Sequence, residues 1–349
     1  YRNLLLSGLW FGPVDGGIYN FLGVFLARLG ASAPVVSLLT SGPALLSMLA
    51  YIPGGALAER SSNQMQLFVR VTVISRLSYL LIAGLPLLLT GSVLPLAIVL
   101  VWTLAAIPNS IGQPAWTSAM AQAVPPSRRA TLNGTRWSLM SLLSGASLLV
   151  FGLWLDRGPF PLAYQVVFLL SFLAGLLNLY HFSRVVVPPF VPAPRAASSV
   201  RLTARLADFL RPLVESKPFV RYNIASIGFR LAIALPAGLY SIYWVNDLQA
   251  TDSWIGLRGT AGYAALVIGY WFWGRVANRI GHRQLLLVCG ATFALYPVVT
   301  ALAPSVIWLL PAAVLWGFAV SGIDLGLFDM LLAVCPEGKQ PRFAAAANT

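Results

Sequence analysis

Apolar runs of about the length of a membrane span follow one another down the chain, separated by short polar breaks. A helix needs roughly 20 predominantly apolar residues to cross the hydrocarbon core of a bilayer. On that criterion the runs near 5–27, 34–57, 67–90, 93–121, 135–155, 160–183, 218–245, 254–275, 284–303 and 305–334 predict ten spanning helices. Barrel strands would be about ten residues long and would alternate apolar with polar residues, which these runs do not. Interruptions such as Gly12-Pro13, Gly42-Pro43 and Pro236 leave the prediction intact, because neighbouring helices satisfy the backbone groups that proline frees. The first run is as long as a full span and is followed at once by a second, a pattern unlike a cleavable signal peptide.

Composition turns this pattern into a class. Hydrophobic residues make up 58% of the chain and charged residues 9%, against roughly 25% charged in soluble domains. The expectation is an all-α polytopic helical bundle. The net charge of +13 sits in short breaks between apolar runs, so it reads as a topology signal rather than a nucleic-acid footprint. Of the 23 Lys and Arg residues, only Arg28 and Arg157 fall on the side opposite the N-terminus, and Arg76, Arg230 and Arg258 fall within runs. The excess on the first side predicts a cytoplasmic-membrane protein with both termini in the cytoplasm and its basic face on anionic inner-leaflet lipids. The two cysteines, Cys289 and Cys335, provide neither a disulfide framework nor a paired metal motif.

One long break, 185–217, separates six runs from the rest, and it opens with Pro188, Pro189, Pro192 and Pro194. Leu202, Leu206, Phe209, Leu210 and Leu213 recur there at helical spacing, with Arg201, Arg205, Asp208 and Arg211 between them. That pattern predicts an amphipathic helix, on the inner leaflet or as a solvated linker. The expected organisation is 1–184 as one six-helix half, 185–217 as a cytoplasmic linker, and 218–349 as a second half of four helices plus the start of a fifth.

The two parts echo each other at a constant offset. Gly274-Arg275-Val276-Ala277-Asn278-Arg279-Ile280-Gly281-His282-Arg283 has an earlier counterpart 219 residues before it, beginning Gly55-Ala56-Leu57-Ala58-Glu59-Arg60. The same offset carries Leu29-Gly30-Ala31-Ser32 onto Leu248-Gln249-Ala250-Thr251, and Tyr51 onto Tyr270. An even number of spans separates the copies, so the repeat is parallel.

With this double motif the chain resembles the major facilitator superfamily of secondary transporters. Its pattern after the second span of each half is Gly, any, apolar, small, Asp, Arg, any, Gly, basic, basic. The second copy keeps Gly274, Val276, Ala277, Arg279, Gly281, His282 and Arg283 and has Asn278 for Asp; the first keeps Gly55, Leu57, Ala58 and Arg60, has Glu59 for Asp, and loses the second Gly and both basic positions to Ser62, Asn63 and Gln64. The resemblance implies a cytoplasmic gate at these loops, where arginines bond helix ends of the opposite half in one state and release them in another; the bland alternative is that they only obey the positive-inside rule. Two equal halves would need about fifty more residues, enough for two further spans, so a C-terminal truncation is expected.

In the fold so implied, the first, fourth, seventh and tenth spans line a central cavity. Charge inside a membrane is costly and marks a pathway or a pair. Asp15, Tyr19 and Asn20 on the first span, Asn109 and Gln113 on the fourth, Arg230 and Trp244 on the seventh and Asp324 on the tenth are the candidate solute and proton pathway. Asp15 or Asp324 is the candidate proton carrier, Arg230 the candidate partner of an anionic group; a structural cross-helix pair remains the alternative. Arg76 is expected at the periphery, snorkelling or packed on a neighbour, and Arg258 at the outer interface. His181 and His282 stand too far apart for a metal site, and no metalloprotease, nucleotide-loop or nucleophile-elbow motif is present. The sequence therefore predicts no enzyme, no metal and no cofactor. It predicts a monomeric permease for a small solute, proton-linked or facilitative, with a non-transporting sensor or scaffold of the same ancestry as the alternative.

Overall fold

The computed structural model describes residues 1–187 and 216–334, and among these every regular element is helical. The chain begins with α1 (Arg2–Val14), a π-helical turn (Asp15–Tyr19) and α2 (Asn20–Arg28), which together form one rod. There follow α3 (Ala33–Arg60), α4 (Gln64–Leu88), α5 (Val93–Ala123), α6 (Pro126–Arg157) and α7 (Leu162–Ser183). After the linker come α8 (Lys217–Ile242), extended by a second π turn (Tyr243–Asp247), then α9 (Asp252–Ile280), α10 (His282–Ala301) and α11 (Leu309–Val334). The amphipathic helix expected around 202–213 lies outside the described residues.

Among the described residues, eight helices are long and apolar enough to cross a membrane. The two predicted spans outside that set are the 2–28 rod and α9. The first is split by its π turn and carries Asp15 and Asn20; the second carries Asp252, Arg258, Arg275 and Arg279. Both are central in the packing, where polar side chains have protein partners instead of lipid. Leucines at lipid-facing positions of the other helices, such as Leu45, Leu49, Leu81, Leu87 and Leu235, are exposed in the isolated chain, as a bilayer solvent requires.

The π turn has a local cause. Pro13 removes a backbone donor and Gly16-Gly17 follows it, so the regular ladder is interrupted there. Ser171 on α7 repairs it by accepting from the Ile18 N–H at 3.2 Å while donating to the Val167 carbonyl at 2.9 Å. A wider turn is thereby held at Asp15.

Helix pairs pack in a recurring way: α3 and α4 both lie on α5, and α9 and α10 both lie on α11. The turns aligned by the sequence offset share a backbone detail, because Gly30 and Gln249 are both left-handed, at φ +76° and +50°. Glutamine is an uncommon choice there, and its side chain donates to the Asn246 carbonyl at 2.6 Å.

The principal contact between the helices before the linker and those after it is α6 on α9. Small residues allow the two backbones to meet. A Cβ at Gly152 would come within 2.5 Å of the Asp252 carbonyl oxygen, and one at Gly259 within 2.7 Å of the Leu148 side chain; Gly256 lies directly against the Leu148 carbonyl. Thr260 donates to the Gly145 carbonyl at 2.7 Å. Between helices in lipid, such close approach and polar bonding replace the hydrophobic drive available in water.

The structure moves one boundary. The break read at 274–283 is mostly helix: α9 runs through Ile280 and only Gly281, at φ +80°, turns the chain into α10. Likewise Gly55 and Arg60 belong to α3, and the true turn is 61–63. Arginine, alanine and asparagine do not stop a helix, whereas a left-handed glycine does.

Gly256→Val should therefore cost on the order of 1–3 kcal/mol of stability by overpacking, lowering the melting temperature in detergent. Gly55→Ala, with open space around it, should leave the melting temperature unchanged; equal effects of the two would remove the α6–α9 crossing as the reason.

Candidate functional site

Two polar assemblies stand out, one at each level of the bundle. For orientation, the basic end is the one carrying Arg2, Arg60, Arg184, Lys217 and Arg279, and the far end is opposite.

At the far end a charged network joins α2, α6, α7 and α9. The guanidinium of Arg28 donates from Nε and Nη2 to Asp252 Oδ1 at 3.1 and 3.0 Å, and from Nη2 to the Ala250 carbonyl at 2.7 Å. Tyr164 donates its hydroxyl to the same Asp252 oxygen at 2.7 Å. Asp156, in the last turn of α6, accepts from the Asp252 and Ser253 N–H groups at 2.7 and 3.2 Å. A carboxylate from one helix thus caps the start of another, where free N–H groups and the helix dipole favour negative charge. Asp252 is otherwise buried, so its charge stands only because Arg28 and Tyr164 meet it.

In the middle, Asp15 accepts a hydrogen bond from the Tyr263 hydroxyl of α9, a second link across the same divide. The Asn20 amide donates to the Asp15 carbonyl at 2.7 Å and closes the π turn. Gly238 packs on Ser37 and Gly23 on Ser241 nearer the far end. All these contacts between the two sets of helices lie from the middle to the far end.

Toward the basic end the bundle opens into a cavity of about 190 Å³. Tyr19, Asn109 and Gln113, three of the candidate pathway residues, line it. Two arginines line it as well. Arg76 on α4, expected at the periphery, is buried; its guanidinium lies 5.5 Å over Phe11 and 5.2 Å over Tyr79, and it donates to the Tyr79 hydroxyl. Arg136, counted by sequence among the cytoplasmic cations, is buried in α6, 5.5 Å from both the Trp116 and Phe182 rings. The run Pro126-Ser-Arg-Arg-Ala-Thr-Leu-Asn-Gly-Thr-Arg136 is too polar to register as a span, yet α6 starts at Pro126. Proline at the first helical position was the available signal.

The remaining predicted residues separate from this cavity. Trp244 is buried beneath the Arg258 guanidinium, 4.3 Å away, and Arg258 also donates to the Tyr296 hydroxyl at 2.8 Å. Arg258 therefore turns into the bundle instead of reaching the outer interface, because an aromatic pocket of α8 and α10 faces it. Asp324 is exposed and accepts from the Tyr270 hydroxyl at 2.8 Å. Arg230 is exposed on α8 and forms no ion pair among the described residues. Arg60, Arg279 and Arg283 are exposed at the basic end without ion pairs among the described residues, while the side chains of Glu59 and Asn278 lie outside them.

The sequence profile of the Major Facilitator Superfamily matches residues 5–349. The chain belongs to that superfamily. Among solved structures, this facilitator chain is similar to a POT family transporter in complex with 5-aminolevulinic acid, at TM-score 0.72 and 12% identity, covering 99% of this chain and 86% of that one. It is similar too to a bacterial homologue of the iron transporter ferroportin in an inward-facing state, at TM-score 0.70 and 15% identity, covering 99% and 87%. At such identities the likeness is one of fold. Mouse synaptic vesicle glycoprotein 2C is 26% identical over 120 residues, 32% of this chain, and the match spans only 16% of that protein's length.

Within this facilitator, Arg28→Met should strand the Asp252 charge and loosen the far end. A cysteine placed at Ala250, buried in the network, in a background lacking Cys289 and Cys335, should then react several-fold faster with a membrane-impermeant thiol reagent applied from that side. Unchanged reactivity would mean the network does not hold the closure.

Proposed function

We propose that the protein carries a small solute across the cytoplasmic membrane by alternating access, as a proton-linked or facilitative permease with both termini in the cytoplasm. The single observation that carries this reading is the asymmetry of the contacts. The two sets of helices are tied together from the middle to the far end by Arg28–Asp252, Asp156 and Tyr263, and the cavity toward the basic end is lined by helices before the linker. If the basic end is cytoplasmic, this is an inward-open arrangement. Exchange of these bonds for equivalent ones at the basic end, through Arg60, Arg279 and Arg283, would give the outward-open one.

The reading takes residues 1–184 and 218–349 as two parallel repeats joined by the 185–217 linker, with the 2–28 rod and α9 crossing the bilayer as the ninth and tenth spans. Support comes from the matched pairings on α5 and α11 and from the left-handed residues at 30 and 249. The superfamily match and the transporter folds of its neighbours agree with it.

Asp15 is the proposed proton carrier. Its carboxylate meets the other half through Tyr263, so gain of a proton would change the strength of that cross-link as well as the local charge. Asp324, bonded to Tyr270 of its own half, is the second candidate. The solute passes along Tyr19, Asn109 and Gln113.

Reconstituted into proteoliposomes under an imposed inward proton gradient, the protein should accumulate one member of a broad solute panel and alkalinise the medium in step. Asp15→Asn should keep solute exchange and lose gradient-driven accumulation at least tenfold; undiminished accumulation would exclude Asp15. No flux of solute or proton at all would favour a non-transporting sensor or scaffold.

A further inference from the structure

We infer that the cavity between α1, α4, α5, α6 and α7 is an oxyanion site, and that its ligand is a small organic anion in which a carboxylate or phosphate meets Arg76 and Arg136 while an apolar body rests on the aromatic wall. This rests on the transport reading only in calling that ligand the cargo; the site itself stands on its own geometry.

The argument begins with burial. Arg76 is 4% exposed and Arg136 7% exposed, both inside helices that the bilayer surrounds. A guanidinium stays charged under any physiological condition, and burying it without a counter-charge costs several kcal/mol. Structural arginines in such places meet a carboxylate. Here the ion pair present among the described residues is Arg28–Asp252, at the far end, and neither cavity arginine has an acidic partner. Nε of Arg76 and Nε of Arg136 are buried without any hydrogen-bond acceptor.

What the two arginines do have is aromatic. Phe11 and Tyr79 flank one, Trp116 and Phe182 the other. Each such contact is worth about 0.5–2 kcal/mol, and it orients a planar guanidinium without using its donor edge. Both guanidiniums are therefore held by their faces, with donors in excess of the acceptors available to them. Asn109 and Gln113 on the cavity wall can donate amide hydrogens, and no Asp or Glu lines the cavity. An ammonium compound would meet amide and hydroxyl oxygens but also two buried like charges, whereas an oxyanion meets opposite charge and several donors, including the bidentate geometry that guanidinium matches.

The site is also built into the backbone. Gly175 on α7 leaves the room that Arg76 Cδ fills, where a Cβ would sit at 3.0 Å; Gly8 on α1 does the same for Arg136 Cγ, at 2.6 Å. Each arginine stem thus crosses a neighbouring helix at a glycine. Asn178, also on the wall, is fixed by donating to the Ser7 carbonyl at 2.7 Å.

The test uses the purified full chain in detergent and four isosteric probes: benzoate, phenyl phosphate, benzamide and benzylamine. Apparent affinities come from thermal-shift titration. Benzoate or phenyl phosphate should stabilise the protein at concentrations where neutral benzamide and cationic benzylamine do not, and the stronger of the two identifies the anion type. Arg136→Gln and Arg76→Gln should each weaken that anion at least tenfold, with Arg136→Lys intermediate and exposed Arg70→Gln without effect. If the glutamine variants do not fold, Arg136→Lys alone should still weaken the anion relative to wild type and Arg70→Gln. Equal stabilisation by benzamide, or anion stabilisation untouched by Arg136→Lys, would overturn the proposal. Anion binding without transport in proteoliposomes would leave the site standing and remove the transport reading; transport restricted to neutral or cationic solutes would do the reverse.

Discussion

The structure depends on one close crossing, α6 against α9. Glycines at 145, 152, 256 and 259 bring the two backbones together, and the approach places Asp156 at the start of α9, where its carboxylate takes up the Asp252 and Ser253 N–H groups. Asp252, thereby fixed, becomes the anchor for Arg28 and Tyr164. In lipid there is little hydrophobic gain from pressing one apolar helix on another, so backbone proximity and satisfied polar groups have to supply the adhesion. The divide between the two sets of helices is consequently held where small residues and paired charges coincide.

The same helix serves the cavity. Residues 145, 148 and 152 of α6 face α9, whereas Arg136 and Met140, one turn apart and nearer the basic end, face the open space beside α1. Close packing on α9 at one end and packing on α1 beside the cavity at the other are thus two properties of a single rod. Asp15 lies between these regimes, on a π turn that Pro13 and the glycines make available and Ser171 stabilises. Its link to Tyr263 of α9 makes it the mid-depth charge of the first rod with a partner across the divide.

Charge placement divides by environment. Cations at the basic end, such as Arg60, Arg279 and Arg283, remain exposed, without ion pairs among the described residues, where water and headgroups solvate them at little cost. Those inside the bundle have each found an arrangement of their own: Arg28 a carboxylate, Arg258 a tyrosine hydroxyl and a tryptophan face, Arg76 and Arg136 aromatic faces with donor edges left over. The leftover donors, more than the total charge, give the cavity its chemistry.

The sequence by itself determined the class, the helices and the superfamily. Span length and continuity follow from hydrocarbon thickness, a constraint read residue by residue, and the predicted spans match the helices from α3 onward closely in extent except at the start of α6, which begins at Pro126 instead of near 135. The 219-residue offset aligns Gly30 with Gln249, and both are left-handed. Tyr19, Asn109 and Gln113 were legible because they lie on spans whose place in the fold was implied. What only the tertiary structure decided is which polar side chains meet. Arg136 looked like a loop cation and Arg76 like a peripheral one, since hydropathy registers the cost of a charge but not the glycine and aromatic ring that a neighbouring helix sets against it. Asn20, Trp244 and Arg258 were assigned by depth along a helix, and their partners depend on rotation about it. Rotation is fixed by packing between distant segments, and no single stretch of sequence contains that information.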